Sequence, residues 1–223
     1  DTKTKRPDVS PEFPKHLLDG YLQFRDNTLP QERDRYLELA AKGQKPEVMM
    51  IACCDSRAAP ETIFNTAPGE IFVARNVANL VPPYKPTGEF HSASAALEYA
   101  VQALKVQHIV VLGHGRCGGI QASLADEFEP LSPGDFIGKW LEMLGPVADE
   151  VAQYNHLTAA ERQTLMERVS VRNSIENLKT FPCVKILHEK GRIQLHGAWF
   201  DISSGELYVM DPETGDFALA GEN

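Results

Sequence analysis

The sequence lacks an apolar run that approaches the roughly 20 residues needed to span a bilayer, and its start, DTKTKRPDVSPEFP, lacks the apolar centre of a signal peptide. Basic residues are also few, with 22 Lys and Arg against 31 Asp and Glu and a formal charge of −9. Because nucleic acids and anionic membranes are bound through clustered Lys and Arg, we expect neither as a partner. These absences predict a soluble protein with a small-molecule role, and they leave open a leader that has been removed.

Cysteine is scarce as well. The chain of 223 residues has four, and two of them, Cys53 and Cys54, are adjacent, which is a poor arrangement for a framework of disulfides. We therefore expect a reducing, cytoplasmic compartment and thiolate chemistry. The length and the 43% hydrophobic content predict one domain, residues 1–223, with appendages.

The first part of that domain, residues 1–43, is predicted to be a helical arm. A polar stretch precedes one helix over residues 14–24 and a stronger one from Pro30, which Gly43 ends. Both helices come before the first strand, so they must pack outside the sheet. We expect the arm to lie on a partner subunit of a homo-oligomer.

A core segment over residues 44–130 follows, with strands predicted at 47–53, 70–75 and 108–112. A helix at 90–104 precedes the third strand, and a short helix at 118–124 follows it. This order is typical of an α/β fold, with a mostly parallel central sheet flanked by helices and ligand sites beyond the carboxyl ends of the strands.

The rest of the domain, residues 131–223, is predicted to be a helical region with closing strands. Helical patterns extend over residues 135–178, with interruptions, and over residues 182–191. The segments RIQLHGAWFDI and ELYVMD, separated by a turn at residues 203–205, predict a hairpin or a C-terminal pair of edge strands.

Three soft metal ligands follow two of the predicted strands. The apolar run MMIA ends in Cys53, and the β-branched run IVVL leads to His114 and Cys117. Two Cys and one His form a ligand set that suits Zn²⁺. Three protein ligands with one open position are typical of a catalytic zinc site rather than of a structural one.

Asp55 and Arg57 lie two and four residues beyond Cys53. Two thiolates neutralise the charge of Zn²⁺ and weaken it as an acid toward water, so a helping carboxylate is expected. Asp55 can accept a hydrogen bond from the zinc-bound hydroxide, or it can become a fourth ligand. Arg57 can hold Asp55 ionised through a bidentate pair. A structural ion pair at the end of the strand is the alternative.

These motifs resemble those of the β-class carbonic anhydrases. The pattern Cys-x-Asp-Ser-Arg stands at Cys53–Arg57, and His-x-x-Cys stands at His114–Cys117, followed by two glycines. Residues 72–83 and 96–101 match further blocks of that family in the same order. The similarity is clearest over residues 44–117 and weaker in the arm and the closing strands.

The resemblance implies reversible hydration of CO₂ to bicarbonate and a proton by attack of zinc-bound hydroxide, with one zinc per subunit held by Cys53, His114 and Cys117. Asp55 and Arg57 would form the supporting dyad. An apolar CO₂ pocket would be completed across a homodimer, or a higher even-numbered oligomer. The residues that match pocket or substrate positions are Gln44, Phe72, Val77 and Tyr99. Gly118 allows close packing or turns its N–H toward the anionic product.

Met50 bears on the subtype. The bicarbonate-regulated branch of the family carries Trp three residues before the first zinc Cys, where this chain has Met50. We therefore expect the plant-like branch with an open zinc site. Arg75 matches an Arg found across the family and does not separate the branches, and the direction of the Arg116 side chain is not predicted.

Two other functions compete with this one. In a noncatalytic zinc scaffold or anion binder, Asp55 would fill the fourth position permanently. Hydrolysis of CS₂ or a related heterocumulene would use the same fold. Cys54 and Cys183 are predicted to be core residues, and the remaining histidines show no ligand spacing.

Overall fold

The computed structural model describes residues 9–87, 91–125 and 128–221. The chain divides into two compact units, Asp1–Gln44 and Lys45–Asn223. Two predicted features, residues 1–8 of the polar arm and the start of a helix at Phe90, lie outside the described residues. That all 223 residues form one domain stays a prediction.

The first unit is helical, as the sequence predicts. Helix α1 (Lys15–Gln23) continues through a π-helical turn (Phe24–Thr28) into α2 (Leu29–Lys42), so the two predicted helices follow each other without a break. Gly43 ends α2 at a φ of 76°, which glycine adopts without steric cost. Neither helix contains a buried residue, although their composition is amphipathic.

The second unit is built on a six-stranded sheet in the order β2-β1-β3-β4-β5-β6. The first four of these strands are parallel, and β5 and β6 are antiparallel additions at one edge. The strands are β1 (Val48–Cys53), β2 (Ile71–Asn76), β3 (His108–His114), β4 (Gln194–Phe200), β5 (Leu207–Met210) and β6 (Phe217–Leu219). The predicted α/β fold with a mostly parallel sheet is confirmed.

Strand β1 shows why its sequence is apolar throughout. Met49 and Ile51 belong to the core on one face of the sheet, whereas Met50 and Ala52 belong to the core on the other. A parallel strand that is covered on both faces needs a continuous apolar run rather than an alternating one.

Helices surround this sheet in the second unit. Those described are α3 (Pro60–Ile63), α4 (Ser92–Glu98), α5 (Gly118–Ser123), α6 (Phe136–Leu141), α7 (Gly145–Ala152), α8 (Ala159–Leu178) and α9 (Pro182–Glu189). Helix α4 continues into a π-helical turn, Tyr99–Leu104, and a 3₁₀ turn, Glu142–Leu144, links α6 to α7. Among the described residues, no helix combines the length and the apolar character that a membrane crossing requires.

Helix α8 packs closely on strands β3 and β4. A Cβ atom added at Gly113 would lie 2.7 Å from the Val171 side chain, and one at Gly197 would lie 2.9 Å from the same side chain. Two glycines in neighbouring strands therefore allow the helix to approach the sheet. The helix begins at a capping box, in which Thr158 and Glu161 satisfy each other's backbone N–H groups.

The predicted C-terminal pair of edge strands is wrong in one respect. β4 and β5 do form the predicted antiparallel pair, but neither lies at the edge, because β5 also pairs with β6. β4 also pairs with β3 along seven residues and is therefore internal. Its buried residues, which include Ala198 and Trp199, reflect this position. Strand β6 was not predicted, because its three residues are too few to show an alternating pattern.

The order of the strands also fixes the position of the site. From β1 the chain adds β2 on one side and β3 on the other, so β1 and β3 are neighbours at the point where the direction of winding reverses. In open parallel sheets, ligands bind beyond the carboxyl ends of the strands at this point. Cys53 and His114 are the last residues of β1 and β3.

Candidate active site

Cys53, His114 and Cys117 come together at the carboxyl ends of β1 and β3. One potential ligand atom from each of the three lies within 4.8 Å of the other two, and all three residues are buried. Their exposed fractions are 5%, 1% and 1%. Two thiols and one imidazole at these separations can converge on a single metal ion, and this donor set suits Zn²⁺.

The His114 ring is oriented for metal binding. Its Nδ1 lies 2.9 Å from the Gly115 carbonyl oxygen, which can only accept, so Nδ1 carries the proton. Its Nε2 is then a lone-pair donor, and it is buried without a hydrogen-bond partner. A buried nitrogen without a partner costs free energy unless something binds it, so the residues present fit a zinc ion at this position.

The two thiols of this group lie close enough to affect each other's pKa. The hydrogen bond between the two thiols lowers the pKa of Cys53, and the same interaction raises the pKa of Cys117. The Ala78 backbone N–H also donates to Cys53 Sγ, at 3.3 Å. These interactions favour a thiolate at Cys53, which is the form in which cysteine binds a metal.

Asp55 and Arg57 form the predicted pair. The Asp55 Oδ1 atom accepts from Arg57 Nε at 2.9 Å, and Oδ2 accepts from Nη2 at 2.7 Å. The backbone N–H of Arg57 donates to Oδ1 as well, at 2.9 Å. These bonds from Arg57 hold the pKa of the Asp55 carboxyl well below its usual range, so the carboxylate is ionised.

The pair faces the three ligands. Asp55 Oδ2 lies 3.9 Å from the unpartnered His114 Nε2. Arg57 Nη2 also donates to the Arg116 carbonyl oxygen at 3.1 Å, and this bond links the loop after β1 to the loop after β3. The side chain of Asp55 is 16% exposed and that of Arg57 is 52% exposed, so the carboxylate is the inner member.

Comparison with known proteins identifies the family. The family model for carbonic anhydrase matches residues 48–207. A carbonic anhydrase of Pseudomonas aeruginosa is 34% identical over 209 residues, which cover 94% of this chain and 93% of that protein. Beta carbonic anhydrase 3 of Arabidopsis thaliana is 34% identical over 212 residues, which cover 92% of this chain and 81% of that protein. This chain belongs to the β-carbonic anhydrase family.

Solved β-carbonic anhydrases have the same fold. The β-carbonic anhydrase CcaA matches with a TM-score of 0.83 and 29% identity, over 92% of this chain and 91% of its own. A tetrameric β-carbonic anhydrase of Sordaria macrospora matches with a TM-score of 0.75 and 30% identity, over 92% of this chain and 98% of its own. The chain is therefore an enzyme of the lyase class, and membership in the family supports CO₂ hydration as its activity.

The β-carbonic anhydrase pocket residues predicted from the sequence do not all gather around the three ligands within one chain. Val77 lies beside the site, 37% exposed, on the wall of a cavity of about 790 Å³ that Cys54 and Trp140 also line. Phe72 and Tyr99 contact each other, with ring centroids 5.8 Å apart. Phe72 pairs with Met49, four residues before the end of β1, which at 3.3 Å per residue is about 13 Å along the strand.

The two remaining predicted substrate residues flank the core of the site in sequence. Gly118 follows Cys117 directly as the first residue of α5, and the space that a Cβ atom would take there is open to 4 Å. Gln44 is exposed and is the last residue of the first compact unit. The roles of these five residues in substrate binding stay predictions.

Cys54 corrects one expectation. It was predicted to pack in the core, opposite to Cys53, but it is exposed. Strand β1 ends at Cys53 and the backbone bends at Cys54, so the alternation of a strand does not extend to it. Cys183 is partly buried and packs against the main core, as expected.

Arg75 has a structural role that sequence reasoning missed. Its Nε donates to the Cys53 carbonyl oxygen and its Nη2 to the Asp55 carbonyl oxygen, both at 2.6 Å. The rigid guanidinium thereby fixes the backbone that carries the first ligand and the carboxylate. A cation in an otherwise apolar strand, IFVARN, is the only signal of this role in the sequence.

Arg116 occupies a strained position between two ligands. Its φ is 57°, a value that is uncommon for residues with a side chain, and this turn directs Cys117 back toward His114. Hydrogen bonds from Ser203 lower the pKa of Asp201, and the charge of Arg116 adds to the effect. The Arg116 side chain is therefore close enough to Asp201 for its charge to act there.

Proposed function

We propose that this protein is a zinc-dependent carbonic anhydrase that interconverts CO₂ and bicarbonate at Cys53, His114 and Cys117. The observation that carries the proposal is the buried, unpartnered Nε2 of His114, which faces two buried cysteines and lies 3.9 Å from an ionised carboxylate. When bound, Zn²⁺ would supply a Lewis acid that activates water near neutral pH.

The chain's own groups would then assist this chemistry. Asp55 offers an acceptor oxygen beside the ligands, where it can orient a water molecule by accepting a hydrogen bond from it. Because Arg57 and the Arg57 backbone N–H occupy the outer lone pairs of the carboxylate, Asp55 keeps its charge and its position. An ionised, oriented carboxylate offsets the weak acidity of an ion held by two thiolates.

We infer that the open-site, plant-like arrangement applies. Both oxygens of Asp55 are already hydrogen-bonded to Arg57, and a movement of the carboxylate toward zinc would weaken this pairing. Met50 is 4% exposed and is packed within the sheet. The position where the regulated branch carries Trp is therefore occupied here by a core residue.

We also propose a homodimer as the smallest active unit. Phe72 and Tyr99 form an aromatic pair at a distance from the ligands of their own chain, as expected if they complete the apolar pocket of a second chain. CO₂ has no net dipole, so an apolar pocket suits it. The tetrameric relative from Sordaria macrospora and the helices α1 and α2, which bury no residue, support the same proposal.

A complementation experiment tests the shared pocket. Coexpression of a Cys117→Ser chain with a Tyr99→Ala chain should restore CO₂ hydration that neither variant shows alone. In such a heterodimer, one of the two sites would combine intact ligands with an intact aromatic pair. Coexpressed chains that form mixed dimers without recovering activity would contradict a pocket built from two chains.

Stopped-flow CO₂ hydration by zinc-replete variants tests the chemistry. We expect Asp55→Asn to lower kcat by about 10- to 100-fold, the usual effect of losing a group that supports and orients a metal site. Cys54→Ser is the matched control, because Cys54 is exposed and lies one residue away; it should retain its activity. Zinc-loaded wild-type protein that hydrates no CO₂ at mildly alkaline pH would instead support a noncatalytic zinc scaffold.

A further inference from the structure

Glu167 is a buried acid that the chemistry described above does not use. It lies in the middle of α8, and only 2% of it is exposed. A carboxylate in the interior costs free energy unless its oxygens are hydrogen-bonded. Burial raises the pKa of Glu167 accordingly. Its retention in the core therefore calls for a structural reason.

The partners of Glu167 supply that reason. Its Oε1 accepts the backbone N–H of Cys117 at 3.0 Å and the side-chain amide of Gln163 at 3.1 Å. Its Oε2 accepts the indole N–H of Trp199 at 3.0 Å. The Gln163 amide also donates to the Cys117 carbonyl oxygen at 3.3 Å. Glu167 and Gln163, one helical turn apart, thus hold both polar groups of the Cys117 backbone.

Cys117 depends on such support. Arg116, directly before it, has a φ of 57°, and Cys117 itself is extended, with φ at −69° and ψ at 119°. This turn sends the thiol toward Cys53 and His114, while the Cys117 N–H is directed toward α8. A buried N–H without an acceptor costs free energy, so the Glu167 oxygen stabilises this conformation of the loop.

Trp199 holds the Glu167 carboxylate from the other side, and Arg168 in turn holds Trp199. The Arg168 guanidinium lies over the Trp199 ring, 4.5 Å from its centroid, and over the Tyr208 ring at 4.7 Å. A cation on both rings fixes the plane of the indole. The direction of the Trp199 N–H, and with it the position of Glu167 Oε2, is set by this stack.

We propose that Glu167, together with Gln163, is a positioning residue for the metal: it fixes the backbone of Cys117 so that the thiol is aimed at the zinc position. This inference rests on the proposed function, since it assumes that the three ligands hold Zn²⁺. Partners of metal ligands typically contribute 10- to 100-fold to metal affinity or activity.

The test is the zinc affinity of Glu167→Gln, measured by competition with a chromogenic chelator. Three N–H groups donate to the Glu167 carboxylate: two to Oε1 and one to Oε2. In either orientation, the NH₂ of the new side-chain amide would face at least one of these donors instead of accepting from it. We expect zinc affinity to fall by about 10- to 100-fold. The bands of the Co²⁺-substituted protein should shift as the thiolate geometry changes. Glu176→Gln, an exposed position on the same helix, is the matched control and should bind zinc like the wild type.

A second variant separates positioning from general damage to the core. Trp199→Phe removes the indole donor, so Glu167→Gln can turn its NH₂ toward the vacated position and its oxygen toward Cys117. The double variant should therefore bind zinc more tightly than Glu167→Gln alone. If Glu167→Gln does not fold, Gln163→Leu, at a partly buried position, carries the test and should weaken zinc binding in a chain that stays folded.

The possible failures are distinguishable. Wild-type protein that takes up no zinc would overturn the proposed function and this inference with it. Wild-type protein that binds zinc, beside a folded Glu167→Gln or Gln163→Leu variant that binds it equally well, would overturn the inference alone. A double variant that binds zinc no more tightly than Glu167→Gln would also contradict the inference. General damage to the core predicts that result, because a second core substitution does not restore a lost core contact.

Discussion

Two adjacent glycines after Cys117 should respond in opposite ways to the same substitution. A Cβ atom at Gly119 would lie 2.9 Å from a Val77 methyl carbon and 3.1 Å from Ala78 Cβ. Both distances are shorter than the 3.5–4.0 Å optimum for carbon atoms. A Cβ atom at Gly118 would meet nothing within 4 Å. Gly119→Ala therefore crowds the loop after β2, and Gly118→Ala does not.

The crowded loop contributes directly to the site. Ala78 has a φ of 65°, a left-handed conformation that leaves it little freedom to move aside. Its backbone N–H donates to Cys53 Sγ at 3.3 Å. A displacement of Ala78 by a few tenths of an ångström would weaken this bond and shift the group that supports the thiolate.

The expected size follows from these contacts. Overpacking of this kind costs about 1–3 kcal/mol, and the gain in helix propensity from Gly to Ala offsets at most about 1 kcal/mol. We expect Gly119→Ala to lower the free energy of unfolding by about 1–2 kcal/mol and kcat/KM by roughly tenfold or more. Gly118→Ala should be neutral or slightly stabilising, with its activity retained, because the added Cβ meets nothing within 4 Å and alanine keeps the backbone N–H.

Urea unfolding at one fixed protein concentration and stopped-flow CO₂ hydration measure the two effects. Adding Val77→Ala to Gly119→Ala removes one of the two close contacts and should recover part of the lost stability. The reasoning fails if Gly119→Ala and Gly118→Ala have the same unfolding midpoint and the same activity.

Three further predictions concern the support of the site and the sheet. Arg75→Lys should lower kcat/KM about tenfold, because an ammonium cannot bridge two carbonyl oxygens as a guanidinium does. The activities of variant and wild type are compared at equal zinc content. Unchanged activity would show that the bridge to the Cys53 and Asp55 carbonyl oxygens does not support the site. Burial and the charge of His108 lower the pKa of His196. The unfolded chain therefore binds a proton more readily than the folded chain, and the free energy of unfolding falls as the pH drops through about 6.5. His196→Gln should reduce the fall in urea midpoint between pH 7 and pH 5, and a variant whose midpoint falls as steeply as that of the wild type would refute this. Gly113→Ala should lower the free energy of unfolding by about 1–3 kcal/mol, because its Cβ would clash with the Val171 side chain. Val171→Ala should relieve this clash, so the double variant should lose less stability than the sum of the two single losses. Strictly additive losses would contradict the close packing of Gly113 against Val171.

Much of the site could be predicted from the sequence, because its ligands follow short apolar runs. Cys53 and His114 end neighbouring parallel strands, and the His-x-x-Cys spacing brings Cys117 back to them. The pairing of Asp55 with Arg57 was also predicted, although the backbone brings it about differently. The chain is not extended there but turns, with the Ala58 N–H donating to the Asp55 carbonyl oxygen at 3.2 Å and the Arg57 N–H donating to Asp55 Oδ1 at 2.9 Å.

The parts that escaped prediction depend on where the backbone stops being regular. Cys54 was expected in the core, but the strand ends one residue earlier and leaves it exposed. Glu167 is separated from Cys117 by 50 positions, and the only trace of its role is an acid on the buried stripe of α8. The Ala78 N–H is invisible in a sequence, because a backbone group carries no residue code.

The zinc content of the purified protein, measured together with its rate of CO₂ hydration, tests the central claim most directly. We expect one zinc per chain and a rate that rises in proportion to bound zinc. Cys117→Ser should lose zinc and activity together. A fully zinc-loaded chain with no hydration above the uncatalysed rate would contradict the claim, as would full activity in a chain stripped of zinc.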